Sequence, residues 1–349
     1  MAGFSGGCCE LRRAPAAAFR GTRGRPGLRM MRGEATTPLL KVAGLTVSRL
    51  ESYQFTADAD LNRRYVEAED AFHPRYLVGE AGHPPIVHPG LLLNRSSNTR
   101  SPSFRLDEDE LGIHSRGEYH FKNPAYVNDR FTVCWDYAES YEKRGRPYVV
   151  IEATVIDGDR REILRWREHC TVYPRAAAGA AAPSAGDASA RHAAAPAAEP
   201  PKSAAVTDVD DELVGVTLAT RDRAFTLERM RLFSGPRDNI HTDPVVARAS
   251  GLPAPIASAT QSVGHVCDLM LEHFGMNFLS RGDVDLKMVQ PIVAGDVLSY
   301  KAIVVESEAT NVGTRYTLEL RASNQRGELV ALGRAVSPYA GGARRSPLK

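Results

Sequence analysis

Between residues 256 and 274 apolar side chains recur at helical spacing. Val263, Val266, Met270 and Phe274 fall on one face, with Leu269 and Leu271 beside them. Few charges interrupt the middle of this segment, so the pattern predicts a long helix covered on most sides. Elsewhere the period shortens to two. Tyr316, Leu318 and Leu320 point one way, while Arg315, Thr317, Glu319 and Arg321 point the other. Phe131, Val133, Trp135 and Tyr137 alternate in the same manner. Strands of period two with one wet face imply antiparallel sheet. Asp157-Gly158 and Gln325-Arg326-Gly327 read as turns between consecutive strands. Helices followed by such a sheet give an α+β class.

The pattern occurs twice. Asp70-Ala71-Phe72-His73 matches Asp238-Asn239-Ile240-His241, with the two histidines 168 positions apart (241 − 73). Pro85-Ile86 matches Pro255-Ile256, and the stretch ending Asn128-Asp129 matches the one ending Gly295-Asp296. Glu152 and Glu319 keep nearly the same offset. Anchors at a near-constant offset indicate a duplicated unit. In each copy a helical patch is followed by a longer apolar helix and then by strands.

Three segments stand apart from the copies. Residues 175–206 are an Ala/Pro/Ser/Gly run with almost no branched or aromatic residue, which predicts a linker. Residues 1–35 carry seven arginines against two glutamates, among Ala, Gly and Pro. They read as a disordered or spurious extension, with an organellar presequence as the alternative. The division expected is therefore 36–174 for the first unit, 207–340 for the second and 341–349 for a tail.

Composition narrows the function. At 349 residues with a net charge of +2, and without a basic run interleaved with aromatics, the chain gives no reason to expect a nucleic-acid partner. No apolar run approaches the ~20 residues that span a bilayer. Five cysteines (Cys8, Cys9, Cys134, Cys170 and Cys267) form an odd set without Cys-x-x-Cys spacing. Neither a disulfide framework nor a metal site is indicated. A reducing, cytoplasmic setting follows, or a mitochondrial one if residues 1–35 are a transit peptide.

Candidate chemistry concentrates in Phe233-Ser-Gly-Pro-Arg-Asp-Asn-Ile-His-Thr-Asp-Pro244, where Asp238 and His241 share a Gly/Pro-containing turn that feeds a helix. Read as residues alone, an acid and an imidazole there suit acid–base work, and the same polar residues also suit helix capping. Ser234, Gly235, Ile240, His241, Asp243 and Pro244, then Pro255, Ile256 and Ala257, resemble the hydratase motif of the MaoC-like (R)-specific enoyl-CoA hydratase/dehydratase family. The stretch Lys287–Asp296 resembles that family's strand entry. The likeness covers residues 207–340, and 45–174 more faintly. It implies two tandem hotdog domains, each a long central helix wrapped by antiparallel sheet, with the two sheets joined edge to edge.

The resemblance also implies a reaction: reversible hydration of a 2-enoyl-CoA, or dehydration of a 3-hydroxyacyl-CoA, without a cofactor. His241 takes the place of the acid–base imidazole and Asp238 that of a second acid. Ala259, in the position of the family's glycine, would donate its backbone N–H to the thioester oxygen, with Ser258 and Asn239 as further substrate contacts. Asp243 is expected to cap or orient the turn. The partner implied is an acyl-CoA thioester, and assembly into a homodimer stays open. The match has gaps. Pro236 stands where the family has its catalytic Asp, and Ser258-Ala259 replaces its His-Gly pair. In the first copy Ser-Gly is missing and Pro89 disturbs the helix entry, so that copy is expected to be degenerate. A thioesterase of the same fold and a non-catalytic acyl-thioester binding subunit remain alternatives.

Overall fold

The computed structural model describes residues 40–42, 45–47, 49–80, 82–106, 110–174, 213–220, 222–311 and 313–339. The expected extension (1–35), linker (175–206) and tail (341–349), with Cys8 and Cys9, lie outside the described residues.

A hairpin of β1 (Leu40–Val42) and β2 (Leu45–Val47) precedes the first unit. That unit runs through β3 (Arg49–Thr56), α1 (Ala59–Glu69), α2 (Pro74–Leu77), α3 (Pro89–Arg95) and a 3₁₀ turn (Asn98–Arg100). It continues with β4 (Glu110–Phe121), β5 (Arg130–Lys143), β6 (Arg146–Asp157) and β7 (Glu162–Pro174). The second unit has β8 (Thr217–Ala219), β9 (Arg223–Ala224), α4 (Leu227–Ser234), α5 (Pro244–Ala249), α6 (Ala259–Phe274) and α7 (Met276–Arg281). Then come β10 (Asp283–Met288), β11 (Val297–Thr310), β12 (Gly313–Asn324) and β13 (Leu329–Tyr339).

The class is α+β with two tandem hotdog units, as the sequence implied. Their strands form one 11-stranded sheet in the order β3-β5-β6-β7-β4-β10-β13-β12-β11-β8, with β9 also on β11. The seam is the antiparallel pair β4–β10, which sets Asp283 opposite His120 and Lys287 opposite Arg116. Charge pairs cross it: Arg116 grips Asp285 through Nε at 2.7 Å and Nη2 at 2.6 Å.

Matched hydrogen bonds show the duplication. Ala57 N donates to Asp129 O at 3.0 Å, and Phe225 N donates to Asp296 O at 2.8 Å. Val87 N donates to Ala125 O, and Ala257 N to Ile292 O. Asn128 and Gly295 both take positive φ at the same point of their loops, a conformation that asparagine tolerates and glycine adopts freely.

The alternation read from sequence sets which side chains enter the core. Phe131, Val133, Trp135, Leu318 and Leu320 are buried, as are Val263, Val266, Met270 and Phe274 of α6. Two expectations need correction. The 256–274 helix begins only at Ala259, because Ile256 is bridged to Val293 and Ala257 is bonded to Ile292, which keeps both extended. The first unit lacks an equally long helix: α3 has 7 residues and yields to the 3₁₀ turn. The polar run from Asn94 to Arg100 offers no apolar face to prolong it. The indoles of Trp135 and Trp166 pin the end of α3 through the carbonyl and hydroxyl of Ser96, at 2.7 and 2.8 Å.

Helices α3 and α6 pack against each other over the sheet. Gly90 and Gly264 make room there for the carboxyl of Glu69, with which a Cβ at either position would collide. No helix among the described residues is long and apolar enough to cross a membrane.

Candidate active site at the entry to α6

Local hydrogen bonds lock the turn before α5. Asn239 N donates to Thr242 Oγ1 at 3.0 Å, and that hydroxyl donates to Arg237 O at 2.8 Å. The Asn239 amide closes the turn from both ends: Oδ1 accepts from His241 N at 2.8 Å, and Nδ2 donates to Arg237 O at 2.9 Å. Asp243 caps α5 by accepting from Val245 N and Val246 N at 2.7 and 2.8 Å, with Pro244 in the first turn, where its missing N–H costs nothing. Arg231 Nε ties the turn to α4 through Thr242 O at 2.9 Å.

This frame orients His241. Its Nδ1 lies 2.8 Å from Ile256 O. A carbonyl only accepts, so Nδ1 carries the proton and Nε2 keeps its lone pair. Desolvation holds the imidazole pKa below its ordinary value, and the nearby charge of Arg100 adds to the effect; the carbonyl bond opposes both. The ring is therefore a neutral acceptor at pH 7. Ile256 is three residues before Ala259, a chain reach of roughly 10 Å at most.

The start of α6 is open. Ser258 is the N-cap residue but makes no side-chain cap bond; its Oγ stands 2.8 Å from Thr260 Oγ1 instead. The N–H groups of Ala259 and Thr260 have no acceptor among the described residues. Unsatisfied donors at the positive end of a helix dipole favour developing negative charge.

The structure brings His241 to the loop that enters α6, whose next residues are Ser258 and Ala259. Asp238 lies exposed on the flank of the turn, and no hydrogen bond or ion pair among the described residues joins it to His241. In the first unit His88 caps its own helix: Nδ1 accepts from Gly90 N at 3.1 Å, and Pro89 has no N–H to offer. Asp70 and His73, the counterparts of Asp238 and His241, line a cavity of about 150 Å³ together with Tyr76, Arg223 and Asp268.

Sequence reasoning did not bring together the ionisable groups at the centre of the fold. Asp268 accepts from Tyr76 Oη at 2.7 Å, has His88 Nε2 at 3.2 Å and stands 3.8 Å from Arg223. Glu69, fully buried, has His265 Nδ1 2.9 Å from Oε2. Desolvation, and then the charge of Asp268, push the Glu69 carboxyl well up, while desolvation pulls His265 well down, which makes this a neutral pair. The signal available was a charged residue ending α1 opposite a glycine in each facing helix. Among the described residues no group of three or more His, Cys, Asp or Glu is placed to hold a metal ion.

No protein-family model matches the sequence, and no curated protein matches it. Solved structures do. One described as a MaoC-like dehydratase is 13% identical with a TM-score of 0.62, over 84% of this chain and 99% of that one. The peroxisomal multifunctional enzyme type 2 of Drosophila melanogaster is 14% identical with a TM-score of 0.57; the match covers 83% of this chain and 48% of that longer one. A Mycobacterium tuberculosis protein described as a double hotdog fold is 16% identical with a TM-score of 0.55, over 83% and 96%.

Proposed function

From the double-hotdog fold that this chain shares with MaoC-like dehydratases, we propose that it is a hydro-lyase working at the entry to α6. It adds water to a 2-enoyl-CoA or removes it from a 3-hydroxyacyl-CoA. The observation that carries this reading is the bond from His241 Nδ1 to Ile256 O. It leaves Nε2 as a neutral base on the loop that opens onto unpaired helix amides.

In the hydration direction Nε2 takes a proton from water as the hydroxyl adds to C3. The electron pair of the double bond moves toward the thioester, and negative charge collects on its oxygen. The N–H groups of Ala259 and Thr260 stabilise that enolate, helped by the helix dipole and the Ser258 hydroxyl. The imidazolium then returns the proton to C2, so the base is regenerated. Asp238, exposed on the flank of the turn, is the second acid of this reading. Asn239 acts by holding the turn rather than by touching the acyl group. The thiols of Cys170 and Cys267 suit a reducing, cytoplasmic setting.

A thioesterase is the second reading, because Asp268, a helix-borne carboxylate, faces the first unit's cavity. One assay separates the two. The chain is incubated with crotonyl-CoA and longer enoyl-CoAs while enoyl-thioester absorbance and free thiol are followed together. Loss of absorbance without thiol supports hydration. Thiol release supports hydrolysis, and silence across the panel leaves a binding role.

A further inference from the structure

Three arginines of the first unit gather around Tyr65, and two of them reach the end of α4, just before the His241 turn. Arg64 Nε donates to Leu232 O at 2.5 Å. Arg100 Nη2 donates to Ser234 O at 3.1 Å and also bonds Asn94 Oδ1. Arg95 Nη1 donates to Tyr53 Oη at 3.2 Å, and its buried Nε has no acceptor. All three charges act on the buried Tyr65, whose Oη donates to Asn94 Oδ1 at 2.8 Å. No carboxylate among the described residues pairs with any of them.

The other end of the helical layer is different. There Arg229 has Asp70 at 3.3 Å, Arg223 has Asp268 at 3.8 Å and Arg75 has Glu80 at 4.0 Å. Grouped guanidiniums, partly withdrawn from water and without an anion, are unfavourable unless a ligand supplies one. Burial lowers the Arg100 pKa; Tyr65 and Tyr53 oppose the shift, and the neighbouring Arg95 and Arg64 add to it.

Two further features mark a built site. Ser234, 9% exposed, has a buried Oγ without a partner. Gly235, at φ +104°, fronts two of the guanidiniums: a Cβ there would sit 3.5 Å from Arg64 Nη2 and 4.0 Å from Arg100 Nη1. A residue without a side chain keeps the approach to both tips free.

We propose that Arg64, Arg95, Arg100 and Ser234 form a subsite for a carboxylate at the far end of the acyl chain. The preferred substrate would then be the CoA monothioester of an unsaturated dicarboxylic acid, or of its 3-hydroxy form. This rests on the reading of the α6 entry as a thioester site. Arg100 bonds buried Asn94 beside buried Tyr65, a setting where a carboxylate can accept bidentate bonds; a phosphate of the carrier is the competing occupant that the test separates.

The test compares glutaconyl-CoA, which bears a distal carboxylate, with crotonyl-CoA, which does not. The intact chain is expected to favour glutaconyl-CoA in kcat/KM by at least ~10-fold, the scale of one hydrogen bond to a charged group. Arg100→Gln should erase most of that ratio. Ser234→Ala, which breaks no bond within the fold, should lower it several-fold. In parallel, free glutaconate and inorganic phosphate are titrated against melting temperature. Glutaconate stabilisation that is lost in Arg100→Gln supports the subsite even if no thioester is hydrated, in which case only the hydro-lyase reading fails. Crotonyl-CoA hydration with neither preference nor glutaconate binding overturns the subsite alone. So does an Arg100→Gln loss that is equal for both thioesters and matched by weaker binding of free CoA, because the arginines would then hold a carrier phosphate.

Discussion

The two helix entries are copies of one design that differ in what occupies the first turn. At α3, Pro89 has no N–H and His88 takes the next donor, so the entry satisfies itself. At α6, Ala259 follows Ser258, whose hydroxyl turns to Thr260, and the donors stay free. The nearby imidazoles differ in the same sense. His73 is engaged by Arg75, with Nδ1 3.0 Å from Nε, whereas His241 uses one nitrogen on a backbone carbonyl and keeps the other. A duplicated fold can therefore keep its frame in both copies while only one retains groups with unused bonding capacity. Those unused groups are the ones that can act on a ligand.

Replacing the groups that differ tests this contrast. The largest effect is expected for His241→Ala, a loss of at least ~100-fold in hydration rate, the scale of general acid–base help. The wild-type kcat/KM should rise with pH through a value below 6.5 and then level off, because protonation removes the base and the folded-state pKa is depressed. A variant that turns over normally would remove His241 from the mechanism. Ala259→Pro makes the second entry imitate the first. Proline is tolerated at a helix start, so circular dichroism and melting should change little, while the rate falls ~100-fold or more as an oxyanion donor disappears. An active Ala259→Pro enzyme would mean that the open amides are incidental.

Stability differences come next. Glu168, buried in β7 of the first unit, has its carboxyl pushed up to about 7 by desolvation. A raised carboxyl pKa means that the folded state holds the proton longer, so the wild type loses this stability as pH rises from about 4.5 to about 7. Relative to it, Glu168→Gln should gain up to ~3 kcal/mol across that window in denaturant titrations. A gap independent of pH would contradict the burial argument. Gly264→Ala, which drives a methyl into the Glu69 carboxyl, should cost ~1–3 kcal/mol in the same measurement. The smallest effect is expected for His73→Ala: hydration within about threefold of wild type, because Arg75 already engages its ring and it supplies no general acid–base help. A large loss would mark the first unit as a second working site.

Much of the fold was legible in the chain. Period-two alternation picked out the buried faces of β5 and β12, and repeated anchors at near-constant spacing revealed the duplication, because the loop bonds they make recur in space. Helix limits were less legible. Ile256 and Ala257 fit a helical face, yet their bonds to the loop at 292–293 hold them extended. The site was legible only as a segment. His241 and the α6 entry are close in sequence, so their meeting could be anticipated. Arg64, Arg95 and Arg100 come from the other copy, more than 130 positions away, and no local pattern links them to the turn. Glu69 lay hidden for a similar reason: its partners Gly90 and Gly264 matter only once two helices are packed.

The central claim is that the imidazole of His241 and the first amides of α6 address one thioester. A crystal structure with a bound 3-hydroxyacyl-CoA or a non-hydrolysable analogue tests it most directly. The account predicts the carbonyl oxygen within hydrogen-bond distance of Ala259 N or Thr260 N, with C3 turned toward His241 Nε2. A thioester lodged instead beside His73 and Asp268, with the α6 entry empty, would contradict it.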